Sequence, residues 1–311
     1  MRSGLERTDM GIADRLAELS SAGTNQVIVG NVLLATDFSE CSARALDYAV
    51  GIASRYESEL YLLHCINPAP YTLADPDVVW KTRDDIQRQL ENLVLDLHRE
   101  SRGRNIEINV VTDVGEVSSF LPQAVKDLNL GLIVVGTHGR TGWRKMVLGS
   151  VAEIVMDEVS CPVLSVGPSA HRTRIQEFGP ESILLVSEAS VRSNLAESYA
   201  FSLACKYGAG LTVVDILESQ FGRVRAQVSQ LKVCREGTAA SIPETEPESR
   251  FQLVPDLGTE SDLILQVAER TAADLIVLAV PETHRFTNRF ASTNSYRVVS
   301  GASCPVLTVH A

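Results

Sequence analysis

The second half of this chain repeats the first, and that duplication constrains the fold more than any single motif. An offset of 151 residues lays Ala45, Tyr48, Ala49, Ile52, Ala53 and Tyr56 onto Ala196, Tyr199, Ala200, Leu203, Ala204 and Tyr207. These positions follow the 3, 4, 7, 8 spacing of one buried helix face. Further along, an offset of 143 lays Gly115 onto Gly258, and Cys161-Pro162-Val163-Leu164 onto Cys304-Pro305-Val306-Leu307. Core positions and turns recur together, so the two halves should fold alike. The drop from 151 to 143 shortens the second copy by eight residues between its first helix and Gly258. Within that stretch, Gly237 to Ser249 is rich in Pro, Ser, Thr and Glu, which predicts a mobile loop.

Each half must then be built from alternating strands and helices. In the first, apolar runs at Ile28–Ala35, Leu60–Ile66, Ile106–Val111, Leu132–Val135 and Pro162–Val166 read as strands. Helical segments fall between them, near Ala45–Tyr56, Val78–Glu100, Val117–Leu128 and Val151–Glu158. Strands that are apolar throughout, separated by helices, predict a parallel sheet covered on both faces, a doubly wound α/β unit. Such sheets bind ligands outside the carboxyl ends of their strands. Thr36-Asp37, the Cys65 region and Gly136 all fall at such ends. At 311 residues there is room for two domains with separate cores. The expected division is an appendage over 1–27, a first domain over 28–168, a linker over 169–180 and a second domain over 181–311.

Composition removes several functional classes. A net charge of -11 without a long basic stripe argues against general nucleic-acid binding. No apolar run approaches the length of a membrane span. The charged stretch Met1–Gln26 lacks the apolar segment of a secretory signal. The six cysteines and six histidines are scattered, with no C-x-x-C pair, which argues against a protein-only metal site and for reduced thiols in a cytoplasmic protein.

The chemistry is concentrated between Gly136 and Ser150. An apolar strand runs into Gly136-Thr-His-Gly139, nine residues follow, and Gly149-Ser150 opens a helix. Glycines let the backbone approach an anion, and the N–H groups of a helix start favour negative charge. Arg140, Arg144 and Lys145 make the loop basic in an acidic chain. The spacing is neither a Walker A loop nor a dinucleotide fingerprint. It resembles the nucleotide-binding signature of the universal stress protein (UspA-like) family, and with the repeat the resemblance extends over nearly everything after residue 27.

That resemblance implies two tandem domains, each with a five-stranded parallel sheet of order 3-2-1-4-5, and ATP bound where the glycine motif is kept. Carried over by position, Asp37 would lie by the nucleoside with Ala35 and Thr36 beside it, and Cys65 would pack on adenine. Val135 and Gly136 would border ribose and phosphates, while His138, Gly139, Gly149, Ser150, Val151 and Ala152 would line the phosphate path. Mg²⁺ would enter only with the nucleotide, with Asp37 in reach. Simpler roles stand beside these. Asp37 can cap the helix near Ser39, His138 can be a loop donor, and His64 can be a structural histidine in an apolar strand. Ser150 has no histidine in context to make it a nucleophile.

In the second half, Gly136 becomes Ala279, Gly139 becomes Glu282, Gly149-Ser150 becomes Ser292-Thr293 and Asp37 becomes Glu188. A carboxylate where phosphates should approach predicts that this half does not bind ATP in the same manner. Three functional classes follow. The first is an ATP-binding stress sensor or signalling protein. The second is a slow ATPase or phosphotransferase on the same crevice. The third is a scaffold whose halves form a built-in dimer through the last strands, Pro162–Val166 and Pro305–Val309, with an apolar ligand or none in the second crevice. Pairing of whole chains into a homodimer is left open.

Overall fold

The computed structural model describes residues 27, 29–66, 76–100, 106–137, 148–170, 179–188, 194–220, 223–231, 250–253, 259–280 and 294–310. The first half alternates strands and helices: β1 (Asn31–Ala35), α1 (Glu40–Tyr56), β2 (Leu60–Ile66), α2 (Pro76–Glu100), β3 (Ile108–Val114), α3 (Val117–Asp127), β4 (Leu130–Gly136), α4 (Ser150–Glu158) and β5 (Val163–Val166). The second half gives β6 (Ser182–Glu188), α5 (Asn194–Tyr207), β7 (Gly210–Gln220), β8 (Arg223–Leu231), β9 (Arg250–Leu253), α6 (Glu260–Arg270), β10 (Leu275–Val280), α7 (Asn294–Gly301) and β11 (Val306–His310). All strands join one sheet of order β3-β2-β1-β4-β5-β11-β10-β6-β7-β8-β9.

The first five strands run parallel in the expected order 3-2-1-4-5. Their side chains alternate between two cores. Val32, Leu34, Leu132 and Val134 face α1 and α2, whereas Leu33, Ala35, Ile133 and Val135 face α3 and α4. Both faces are apolar because both are covered by helices.

The second half departs from the expected five-stranded parallel sheet. β6, β7, β10 and β11 keep the parallel core, but β8 pairs antiparallel with β7, and β9 antiparallel with β8. Only residues 221–222 separate β7 from β8, whereas the first half spends the whole of α2 on the corresponding crossover. Two residues can close a hairpin but cannot return a chain parallel to itself. Ala226 and Val228 of β8 are buried in an apolar cluster, and Ser229 beside them is buried as well. The loop expected over Gly237–Ser249 lies outside the described residues.

The halves meet edge to edge. β5 and β11 pair antiparallel as Thr308↔Val163, Leu307↔Leu164 and Val306↔Ser165, a reciprocal register centred on two leucines that the repeat makes equivalent. A second reciprocal contact lies beneath. The Arg55 guanidinium sits 5.6 Å from the centre of the Tyr207 ring, and the Lys206 ammonium 5.4 Å from that of Tyr56. Arg55 also donates to the Lys206 carbonyl at 2.6 Å. This is the self-complementary geometry of a two-fold interface, built within one chain.

Candidate functional site

The site begins where β1 ends. The Thr36 amide continues the ladder by donating to the Leu63 carbonyl at 2.9 Å, and the chain then turns sharply. Phe38 adopts the left-handed region at φ 60°. Two side chains hold that turn: the Thr36 hydroxyl accepts from the Phe38 amide at 3.1 Å, and Asp37 Oδ1 from the Ser39 amide at 3.0 Å. Ser39 caps α1 by accepting the Ser42 amide at 3.2 Å. The capping role considered for Asp37 therefore belongs to Ser39, and Asp37 organises the turn into it.

At the end of β2, His64 Nδ1 lies 2.7 Å from the Thr36 carbonyl. A carbonyl only accepts, so Nδ1 carries the hydrogen. The ring rests on Phe38, with centroids 5.1 Å apart and planes at 31°. The next residue, Cys65, has its thiol pushed up to about 12, first by burial and then by the Asp113 carboxylate on the adjoining strand. Burial therefore favours the neutral, polarizable thiol over the reactive thiolate.

β4 supplies the opposite wall. A side chain at Gly136 would place its Cβ 2.8 Å from both the Cys41 carbonyl carbon and the Ser42 amide nitrogen. Glycine is required there because the first turn of α1 packs directly on the strand end. Beyond it, the buried Thr137 donates its amide to Val166 at 3.0 Å and accepts the Gly149 amide at 2.7 Å. Gly149 is the N-cap of α4, at φ -67° and ψ 149°, and as a glycine it offers no side-chain cap. Its first amides are the orphan donors of a helix start, on the positive end of its dipole.

Between these walls lies a cavity of about 300 Å³. Ala35, Thr36, Asp37, Cys65, Val135, Gly136, Gly149, Val151 and Ala152 all line it. Ser150 starts α4 beside them. His138 and Gly139, with the basic residues Arg140, Arg144 and Lys145, lie outside the described residues. So do Glu282, Ser292 and Thr293 of the second half.

Four lining residues were not singled out from the sequence: Ser42, Leu63, Val117, and His64 as more than a structural residue. Leu63 had a signal, since it stands two positions from Cys65 on β2 and must share its face. Ser42 had none, because only the tight turn at Phe38 folds the first turn of α1 over Gly136. The described residues contain no group of three or more His, Cys, Asp or Glu that could hold a metal. No described helix is long and apolar enough to cross a membrane.

Comparison with known proteins agrees with this architecture. The universal stress protein family matches the chain twice, over residues 29–167 and 180–310. Universal stress protein YxiE of Bacillus subtilis is 29% identical over 143 residues, a match spanning 43% of this chain and 97% of that protein. Universal stress protein MJ0531 of Methanocaldococcus jannaschii is 25% identical over 136 residues, covering 43% of this chain and 80% of that one. A universal stress protein from Archaeoglobus fulgidus shares the fold, with a TM-score of 0.64 and 20% identity over 91% of this chain and 98% of its own. With most of its length matched by two consecutive copies of one family domain, the chain belongs to the universal stress protein family.

Proposed function

We propose that the first domain binds ATP in the crevice at the ends of β1, β2 and β4, and that the protein is a cytoplasmic, nucleotide-dependent stress sensor or signalling protein. Adenine packs on Cys65 and Leu63, a pair of apolar faces on one side of β2. Asp37 sits at the nucleoside. Val135 and Gly136 border ribose and phosphates, and the phosphates turn toward Gly149, Ser150, Val151 and Ala152, with His138 and Gly139 contributing from the loop. The observation that carries this reading is the start of α4, with glycine at its N-cap, opening on an otherwise mostly apolar cavity. Asp37 would be the residue in reach of Mg²⁺ carried by the nucleotide, which would screen phosphate charge there. Binding to the folded state stabilises it by mass action, which gives a sensor its output. Fast turnover is not part of this reading: burial keeps Cys65 on the thiol side of its equilibrium.

Calorimetric titration of nucleotide-stripped protein with ATP and Mg²⁺ tests the proposal, with cAMP and adenosine in parallel. The expected outcome is one ATP site per chain, weaker binding of cAMP and weaker still of adenosine, since each loses phosphate contacts at α4. Absence of ATP binding, or equal affinity for ATP and adenosine, would overturn it.

A further inference from the structure

The start of α4 is held by both domains. The Leu148 amide donates to the hydroxyl of Tyr296, on α7 of the second domain, at 3.1 Å. The next amide, that of Gly149, donates to Thr137 of the first domain at 2.7 Å. Leu148 is only 3% exposed, so its amide has little access to water as an alternative partner. These bonds fix two consecutive peptides immediately before the helix whose orphan donors face the cavity. Its N-cap glycine offers no side-chain cap, so among the described residues these two bonds and packing hold its approach.

We propose that Tyr296 is a positioning residue, through which the second domain sets the phosphate end of the first domain's crevice; the proposal rests on the nucleotide reading above. Its platform is firm. Val298 and Val299 of α7 are buried in the same apolar cluster as Leu148 and Ala152, with Tyr296 packed against it. The Asn294 side chain at the first turn of α7 donates to Glu260 at the first turn of α6. The residue type also fits. The offset of 143 makes Tyr296 the counterpart of Glu153, so the second copy carries a tyrosine where the first carries a glutamate. A carboxylate at 296 could accept the same amide, but would bring negative charge to an anion cradle.

Without the hydroxyl, the peptide at Leu148 must find another arrangement, and ATP must order it on binding. A group that touches only ribose and base would not have to. By reciprocity, bound nucleotide strengthens the Tyr296 contact and so the docking of α7 on the first domain. The second domain, without the glycine motif, would then be the element that adjusts and senses the first.

The test uses the full chain and its Tyr296→Phe variant, with amide exchange at Leu148 and titrations of ATP and adenosine. In the variant, Leu148 should exchange faster without ligand. Its ATP affinity should fall by about two- to tenfold, the scale of one hydrogen bond, with adenosine affinity unchanged. Unchanged exchange at Leu148, unchanged ATP affinity, or an equal loss for ATP and adenosine would each overturn the positioning role. A wild type that binds no ATP, while the variant still exposes Leu148, would instead overturn the nucleotide reading.

Discussion

Replacing Gly149 with aspartate should move stability and nucleotide binding in opposite directions. Gly149 already has the extended backbone of an N-cap, φ -67° and ψ 149°, and as a glycine it has no side chain to perform the capping. An aspartate there can accept from the second or third helical amide and sits at the positive end of the dipole. The two effects together are worth about 0.5–1 kcal/mol, or about 1–4 °C in Tm for a chain of this size. The same carboxylate takes up donors proposed for phosphate. At ~5 Å it also repels each unit of phosphate charge by about 1–3 kcal/mol, between the dielectric of water and that of a protein surface. ATP affinity should fall at least about tenfold. Calorimetric titration paired with thermal unfolding reads both effects. ATP at 100 times its Kd should stabilise the wild type by about 2.7 kcal/mol, and Gly149→Asp far less at the same concentration. A variant that binds ATP like the wild type would refute the assignment of phosphate to α4. A variant that loses binding and stability together would mean that Gly149 serves the backbone, not the ligand.

Other substitutions probe the frame around the crevice. Gly136→Ala puts a Cβ 2.8 Å from two backbone atoms of α1, which cannot yield as a side chain can. It should cost about 1–3 kcal/mol in urea unfolding, and a cost near zero would show that α1 moves freely. Asp157 has a buried oxygen without a hydrogen-bond partner, and its carboxyl is raised to about 6, first by burial and then by Glu153 and Glu158. The folded state therefore holds this proton more tightly than the unfolded chain. Its contribution to stability is fully present below about pH 4, is lost as pH rises, and is gone above about pH 6. Asp157→Asn should stabilise the protein at pH 7.5 by on the order of 1 kcal/mol after allowance for solvent screening, with the gain fading toward pH 4. Denaturation curves at the two pH values check it, and a pH-independent gain would count against the assignment. Cys65, with its thiol raised to about 12, should resist alkylation at pH 8 and be protected further by ATP. Labelling at the rate of a free thiol would contradict its environment.

Much of this architecture was legible because it depends on periodicity and repetition. The apolar runs placed all five strands of the first half, and the recurring Cys-Pro-Val-Leu segments marked the two strands that pair across the centre. The repeat misled where the copies diverge. Transferring the first half's topology hid the β7–β8 hairpin, although the alternation in Arg223–Leu231 and the two-residue connection were both in the sequence. Gly136 was singled out for anion approach, while the structure shows it required by the packing of α1, a contact no linear pattern encodes. Tyr296 was invisible for a different reason: its repeat counterpart is Glu153, so the repeat points away from its role.

The equivalent positions show which contacts belong to the frame and which to one domain. Asn31 donates its side-chain amide to the Leu128 carbonyl at 2.9 Å, and its counterpart Ser182 donates its hydroxyl to Thr271, the counterpart of Leu128, at 3.2 Å. A hydrogen bond survives at one place in both copies although the donor chemistry has changed. Nearby, the first half brings Gly30 and Gly131 so close that a Cβ on Gly131 would lie 2.2 Å from the Gly30 nitrogen. The second half has Glu181 and Asp274 there, and Asp274 accepts the amides of Glu181 and Ser182 at 2.9 and 3.0 Å. Backbone contact in one copy has become side-chain satisfaction in the other, with the strands still paired. The amino ends of the strands thus tolerate different solutions to one structural demand. At the carboxyl ends, Gly136 and Gly149 have become Ala279 and Ser292. There the demand itself differs, since the first copy has a cavity to shape and the second presents Tyr296 to its neighbour's helix.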